Sequence, residues 1–178
     1  TRSHQAHTKK YYSAHFRSVR IVKSSAKNKT VFLAGFDGLF KSKNNGQNWF
    51  QLETLPVSLI KGMAVSAGKS SYSIAITTYG GGAYVSQDNG NSWLICNKGL
   101  KTTRLSDIVF SNDYPSDKTL YSASIGILLK STDAGYNWQK IMLNPKGWRH
   151  KAYAIARKLK VPRSWCNKIL KRSERRKK

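Results

Sequence analysis

Between residues 16 and 143, short apolar runs alternate with polar, glycine-containing breaks, and the alternation itself recurs. Three segments, FRSVRIVKS from Phe16, IKGMAVSA from Ile60 and LSDIVFS from Leu105, carry apolar side chains at roughly every second position. That is the pattern of a strand with one buried face. Each is followed by a β-branched and aromatic run, a glycine break and a second short apolar run: KTVFLAGFDGLFKS, YSIAITTYGGGAYVS and KTLYSASIGILLKS. The breaks at Gly38, at Gly81 and Gly82, and at Gly126 read as hairpin connections. A last short run closes each unit, as FQLETL, LICN and QKIML. The pattern therefore predicts three units of about four short strands in a meander.

Between the third and fourth predicted strands of every unit stands the same polar box ending on an indole. It reads SKNNGQNW from Ser42 to Trp49, SQDNGNSW from Ser86 to Trp93 and STDAGYNW from Ser131 to Trp138. The boxes begin 44 and 45 residues apart, and self-similarity at a fixed period of this size marks a repeat architecture. Ser42, Ser86 and Ser131 and the acidic or amide positions Asn44, Asp88 and Asp133 suit hydrogen bonds within a turn. Gly46, Gly90 and Gly135 suit a positive φ. Trp49, Trp93 and Trp138 are expected to fold back as apolar plugs, each burying ~150–250 Å². A structural role is expected for the carboxylates, because Asn44 keeps the hydrogen bonds of an Asp while losing its charge.

Ser-x-(Asp/Asn)-x-Gly-x-x-Trp resembles the Asp-box, or BNR repeat, of sialidases, sortilin-type receptors, xyloglucanases and photosystem II assembly-factor propellers, in the broader WD40/YVTN/BNR-like class. SNDYPSDKTLYSAS and TTYGGGAYVSQDNGNSW are similar to segments of bacterial BNR-repeat proteins. The resemblance covers residues 16 to 143 and implies an all-β fold of four-stranded propeller blades, about three here. The expected organisation is a basic N-terminal extension over 1–15, three blades over 16–57, 58–101 and 102–145, and a basic, amphipathic helical tail over 146–178. The box implies the fold and not an activity, since it occurs in enzymes, receptors and assembly factors alike.

Charge changes the picture at the ends. The 178 residues carry a net charge of +24. Residues 1–30 hold eight Lys and Arg with no acid, and residues 146–178 hold fourteen with one Glu, whereas the repeat body is nearly neutral. Arg149, Lys151, Arg157, Lys158, Lys160, Lys171, Arg172, Arg175 and Arg176 are candidate anion-binding residues for nucleic acid, another acidic polymer or a membrane surface, a third functional reading. Asn144 and Pro145 can start a helix, and Trp148, Ala152, Ile155, Ala156 and Leu159 then share one face. Docking of that face on the last blade is the expectation, with a second short amphipathic run from Arg163 carrying Trp165, Cys166, Ile169 and Leu170.

Catalytic and cofactor motifs are absent from the sequence. Cys96 and Cys166 form no CxxC, His4 and His7 lie in a polar tail, and Gly80–Gly82 lack a phosphate-loop context. The arginine cluster that a sialidase implies is missing, since Arg104 is the one Arg of the body beyond the first strand. No metal or cofactor is expected. Closed propellers need about 4–8 blades, so three imply a piece of a longer protein, an oligomeric ring or a capped arc, of which the first is the expectation. The expected function is a non-catalytic scaffold binding a protein or glycan partner, with self-association through open blade faces as one further route. The alternative is the accessory propeller of a carbohydrate-active enzyme, either a glycosidase or a glycosyltransferase fusion.

Overall fold

The computed structural model describes residues 15–23, 29–68, 71–124, 127–141, 161–162 and 164–166. Among them, twelve strands form three separate four-stranded antiparallel sheets, each a simple meander in chain order. The first blade holds β1 (Phe16–Lys23), β2 (Lys29–Gly35), β3 (Gly38–Ser42) and β4 (Phe50–Gln51). The second holds β5 (Ile60–Ala67), β6 (Tyr72–Thr78), β7 (Ala83–Ser86) and β8 (Leu94–Ile95). The third holds β9 (Asp107–Phe110), β10 (Leu120–Ser124), β11 (Ile127–Ser131) and β12 (Gln139–Ile141). The first strands of successive blades meet, β1 against β5 and β5 against β9, so the sheets stack side by side about a common inner edge.

Alternation along each strand gives a blade a front face, towards the preceding blade, and a rear face, towards the next. The rear of the first blade offers Phe32, Ala34 and Leu39 to the front of the second, where Met63, Ile74, Ile76 and Tyr84 complete one core. The rear of the second, smaller-sided with Ala64, Ala75, Ala83 and Val85, meets Ile108, Phe110, Leu120 and Leu129 of the third. Gly62 is required at this contact: a Cβ there would lie 2.7 Å from Asp107 Oδ1 and 2.8 Å from Asp107 Cα. The rear of the third blade, Tyr121, Ala123 and Leu128, is covered by Val161, Trp165 and Cys166. That segment makes a helical turn over 164–166, with the Trp165 amide donating to the Pro162 carbonyl at 3.0 Å. The Trp148–Leu159 face lies outside the described residues.

The three box turns share one hydrogen-bond scheme. Ser86 Oγ donates to Asp88 Oδ1 at 2.7 Å and accepts the Gly90 amide at 2.8 Å, while the Ser92 amide and hydroxyl donate to the two carboxylate oxygens. Ser131, Asp133, Gly135 and Asn137 repeat it. In the first box the Asn44 amide oxygen takes the same place, accepting from Ser42 Oγ at 3.0 Å and from the Asn48 amide at 2.9 Å. The left-handed backbone extends over two residues, because Asn45, Asn89 and Ala134 have φ of 59°, 67° and 60° immediately before the three glycines. Asn45 and Asn89 also clip the box to the start of a neighbouring strand. Asn89 exchanges two hydrogen bonds with the Tyr72 backbone, and Asn45 does so with Lys29. Ala134 keeps only the main-chain half, its amide donating to Lys118 O at 2.8 Å.

Each of the second and third boxes also latches onto the blade before it. Trp138 Nε1 donates to Cys96 O at 2.8 Å and its amide donates to Lys98 O, in the segment after β8. Thr54, after β4, donates to Gly90 O and accepts from Trp93 Nε1 at 3.4 Å. The indoles are buried accordingly: Trp138 is 3% exposed, while Trp93 and Trp49 are half-buried. The expectation of equivalent apolar plugs is thus graded by what each blade finds in front of it. Cys96 and Cys166 are free thiols, and burial pushes the Cys96 thiol up to about 11.

Two predictions arise from the boxes. Ala134→Asn relieves a non-glycine residue held at positive φ and restores the missing clip, so it should stabilise the chain by ~1 kcal/mol in chemical denaturation. The second concerns acid. Burial alone would raise the Asp88 carboxyl, but hydrogen bonds from Ser92, Ser86 and Asn91 outweigh it and hold the group at about 2. A carboxyl depressed in the folded state stabilises above its unfolded value and loses that stability as pH falls through the folded one. Stability should therefore fall between pH ~4 and ~2. Asp88→Asn, which copies the amide of Asn44, should flatten the Asp88 part of that fall in a melting-temperature titration and lower neutral-pH stability by the charge-assisted share of those bonds.

Candidate functional site

A cavity of ≈ 450 Å³ opens where β1, β5 and β9 converge beneath the 162–165 segment. Three register-equivalent residues of the inner strands line it, Arg20, Ala64 and Val109, paired across their ladders with Phe32, Ala75 and Tyr121. The same backbone position thus presents a guanidinium in one blade and small or branched apolar groups in the other two. Arg20 is half-buried, and one of its N–H groups donates to Val19 O at 2.8 Å. Guanidinium has five donors in a fixed fork, so most of its capacity remains for a group in the cavity.

Polar neighbours come from the ends of β5 and β9. Ser66 Oγ makes a long contact of 3.4 Å to Tyr114 O. Ser111 Oγ donates to Asp117 Oδ2 at 2.7 Å and accepts the Asp113 amide, so it is anchored from behind. Asn112 is exposed at the rim. The roof is Trp165, 6% exposed, whose indole Nε1 is buried with no acceptor among the described residues. That nitrogen has essentially no exposed surface, so it does not face the cavity, and Trp165 closes the site as an apolar cover. Among the described residues no carboxylate lines the cavity. Chemically the site is a donor-rich pocket with apolar walls, suited to holding an anionic or carbonyl-bearing group.

The residues singled out from sequence lie elsewhere. Ser42, Asn44, Gly46 and Trp49, with their counterparts in the other two boxes, sit in the turns between third and fourth strands, away from this cavity. Asp88 and Asp133 are occupied by their turn donors. The anion-binding candidates from Arg149 to Arg176, with His4 and His7, are outside the described residues. His15 is exposed, its ring 5.7 Å from that of Phe36. Among the described residues no group of three His, Cys, Asp or Glu side chains could hold a metal. Arg20, Ser66, Ser111, Asn112 and the roofing role of Trp165 were not expected from the sequence. The one signal available was Arg20 between Val19 and Ile21, at the register position where the other two inner strands carry Ala64 and Val109.

No protein-family profile and no curated protein matches the sequence. Solved structures do. The chain is similar to YCF48 bound to a D1 peptide, at 18% identity and TM-score 0.54, over 71% of this chain and 40% of that one. It is similar to an ancestral GH74 enzyme at 22% identity and TM-score 0.56, over 72% of this chain and 18% of that one. The GH74 enzyme of Niastella koreensis gives 18% identity and TM-score 0.53, over 72% of this chain and 23% of that one. The chain thus spans less than half the length of each. These neighbours are β-propellers, and the three four-stranded sheets have the architecture of propeller blades.

Proposed function

We propose that this chain is a non-catalytic propeller-type interaction module that binds an acidic peptide segment of a protein partner in the cavity under Trp165. The observation that carries the reading is the lining itself. The Arg20 guanidinium side chain and the polar side chains of Ser66, Ser111 and Asn112 line a space that no described carboxylate lines. The net charge of +24 adds long-range attraction for an acidic partner and a strong dependence on salt. A structural neighbour was solved with a peptide bound, which supports peptide recognition by blades of this kind.

The second reading, an accessory propeller of a carbohydrate-active enzyme, draws on the two GH74 neighbours. Most glycoside hydrolysis uses two carboxyl groups facing each other across the scissile bond, ~5–10 Å apart. The box acids Asp88 and Asp133 are committed to their turns and do not supply such a pair. The basic residues from Arg149 to Arg176 would add attraction for an anionic polymer or membrane surface under either reading.

Fluorescence anisotropy with labelled acidic, neutral and basic dodecapeptides tests the proposal. Acidic peptides should bind best, and Arg20→Ala should weaken them ~10-fold, the loss of one charge-assisted contact. Asn112→Ala removes an exposed polar lining group; it should weaken binding without lowering the melting temperature. Equal affinity for all three peptide classes, or release of reducing ends from a soluble glucan by the purified chain, would contradict the reading.

A further inference from the structure

The front faces of the three blades can be superimposed by their ladders. Val19–Leu33–Phe40 in the first blade corresponds to Met63–Ile76–Tyr84 in the second and Ile108–Ser122–Leu129 in the third. The next rung is Ile21–Val31, then Val65–Ile74, then Phe110–Leu120. In the second and third blades most of these positions are core: Met63, Ile74, Ile76, Ile108, Leu120 and Leu129 are all 0% exposed, while Val65 is half-buried. In the first blade the equivalents are open, with Val19 51% and Ile21 62% exposed and Val31 and Leu33 half-buried. The residue types are as apolar as those of the buried faces. A contiguous apolar face of this kind marks an interaction site.

The first box repeats the asymmetry. A Cβ on Gly90 would meet Leu52 of the preceding blade at 2.8 Å, and one on Gly135 would meet Val85 and Cys96 at 3.1 and 3.2 Å. One on Gly46 would meet only its own Trp49, at 3.6 Å. Trp93 and Trp138 donate to the preceding blade, whereas no hydrogen bond from the Trp49 indole occurs among the described residues. At the other end, the rear of the third blade is already covered by Val161, Trp165 and Cys166.

We infer that the front of the first blade is a blade-accepting surface. Its occupant is the rear face of a further four-stranded blade beyond these three, with the Trp49 indole latching onto a carbonyl after that blade's fourth strand. The two blade contacts within the chain are built this way, and this face continues the same interface. A second copy of the chain does not supply the occupant, because the rear face of its third blade lies under Trp165.

The intact chain and two variants test this. Ile21→Asp should leave the melting temperature unchanged and reduce binding of a hydrophobic dye, whereas Met63→Asp, on the buried front face of the second blade, should abolish folding. The second arm fuses a copy of residues 58–101 ahead of Thr1, so that a blade with a free rear face is available. The fusion should melt roughly 5 °C higher than the parent and lose dye binding. Ile21→Asp within the fusion should cancel both gains. A large melting loss from Ile21→Asp in the parent would mean the face is covered within the chain and would overturn the inference. So would a fusion that gains nothing, or a parent that forms a concentration-dependent dimer in light scattering that Ile21→Asp dissolves.

Discussion

A four-stranded antiparallel sheet has two faces and no interior, so each blade is stable only as far as its neighbours cover it. Everything else in this chain follows from that constraint. The front of the second blade is dry because Phe32, Ala34 and Leu39 lie against it, and the front of the third because of the alanine-rich rear of the second. The small side chains Ala64, Ala75 and Ala83 let the inner strands approach closely, and Gly62 is the extreme case. The final rear face has no fourth sheet within the described residues, and a helical turn carrying Trp165 substitutes for one. A single aromatic side chain can do this because it brings ~150–250 Å² of apolar area.

The box couples local turn chemistry to this stacking. Its serine and carboxylate or amide hold a turn containing two left-handed residues, and that turn aims an indole at the blade before it. Asn44 does this without charge, which identifies hydrogen bonding as the requirement. The conformation is the same in all three boxes, yet the indoles differ in burial because the receiving surface differs. The latch is therefore a property of a pair of blades and not of one repeat.

That distinction also explains how much was legible in the sequence. The strands and the meander followed from two-residue alternation and from turn residues, both local signals. Asn45 and Asn89 carry a local signal too, since Asn before Gly favours left-handed backbone, although positive φ was expected at the glycines alone. The graded burial of Trp49, Trp93 and Trp138 has no such signal, because it depends on residues about 40 positions away, such as Thr54 for Trp93 and Cys96 for Trp138. The cavity was less legible still. Arg20, Ser66, Ser111 and Trp165 come from three blades and a terminal segment, and only the stacking brings them together. The charge was visible as a number, while its placement at a concave site, through Arg20, was lost among thirty-two basic residues.

The most direct test of the latch is to delete the same atom group from two boxes. Trp138→Phe and Trp49→Phe each remove an indole N–H and part of the ring, and their stabilities can be compared by urea unfolding at neutral pH. Trp138→Phe should cost about 1–3 kcal/mol, because it leaves Cys96 O without its buried donor and opens space between two blades. Trp49→Phe should cost less than about 0.5 kcal/mol, as a substitution with no blade in front of it. Equal losses at the two positions would mean that the indole stabilises its own turn, and that the blades are not latched in series.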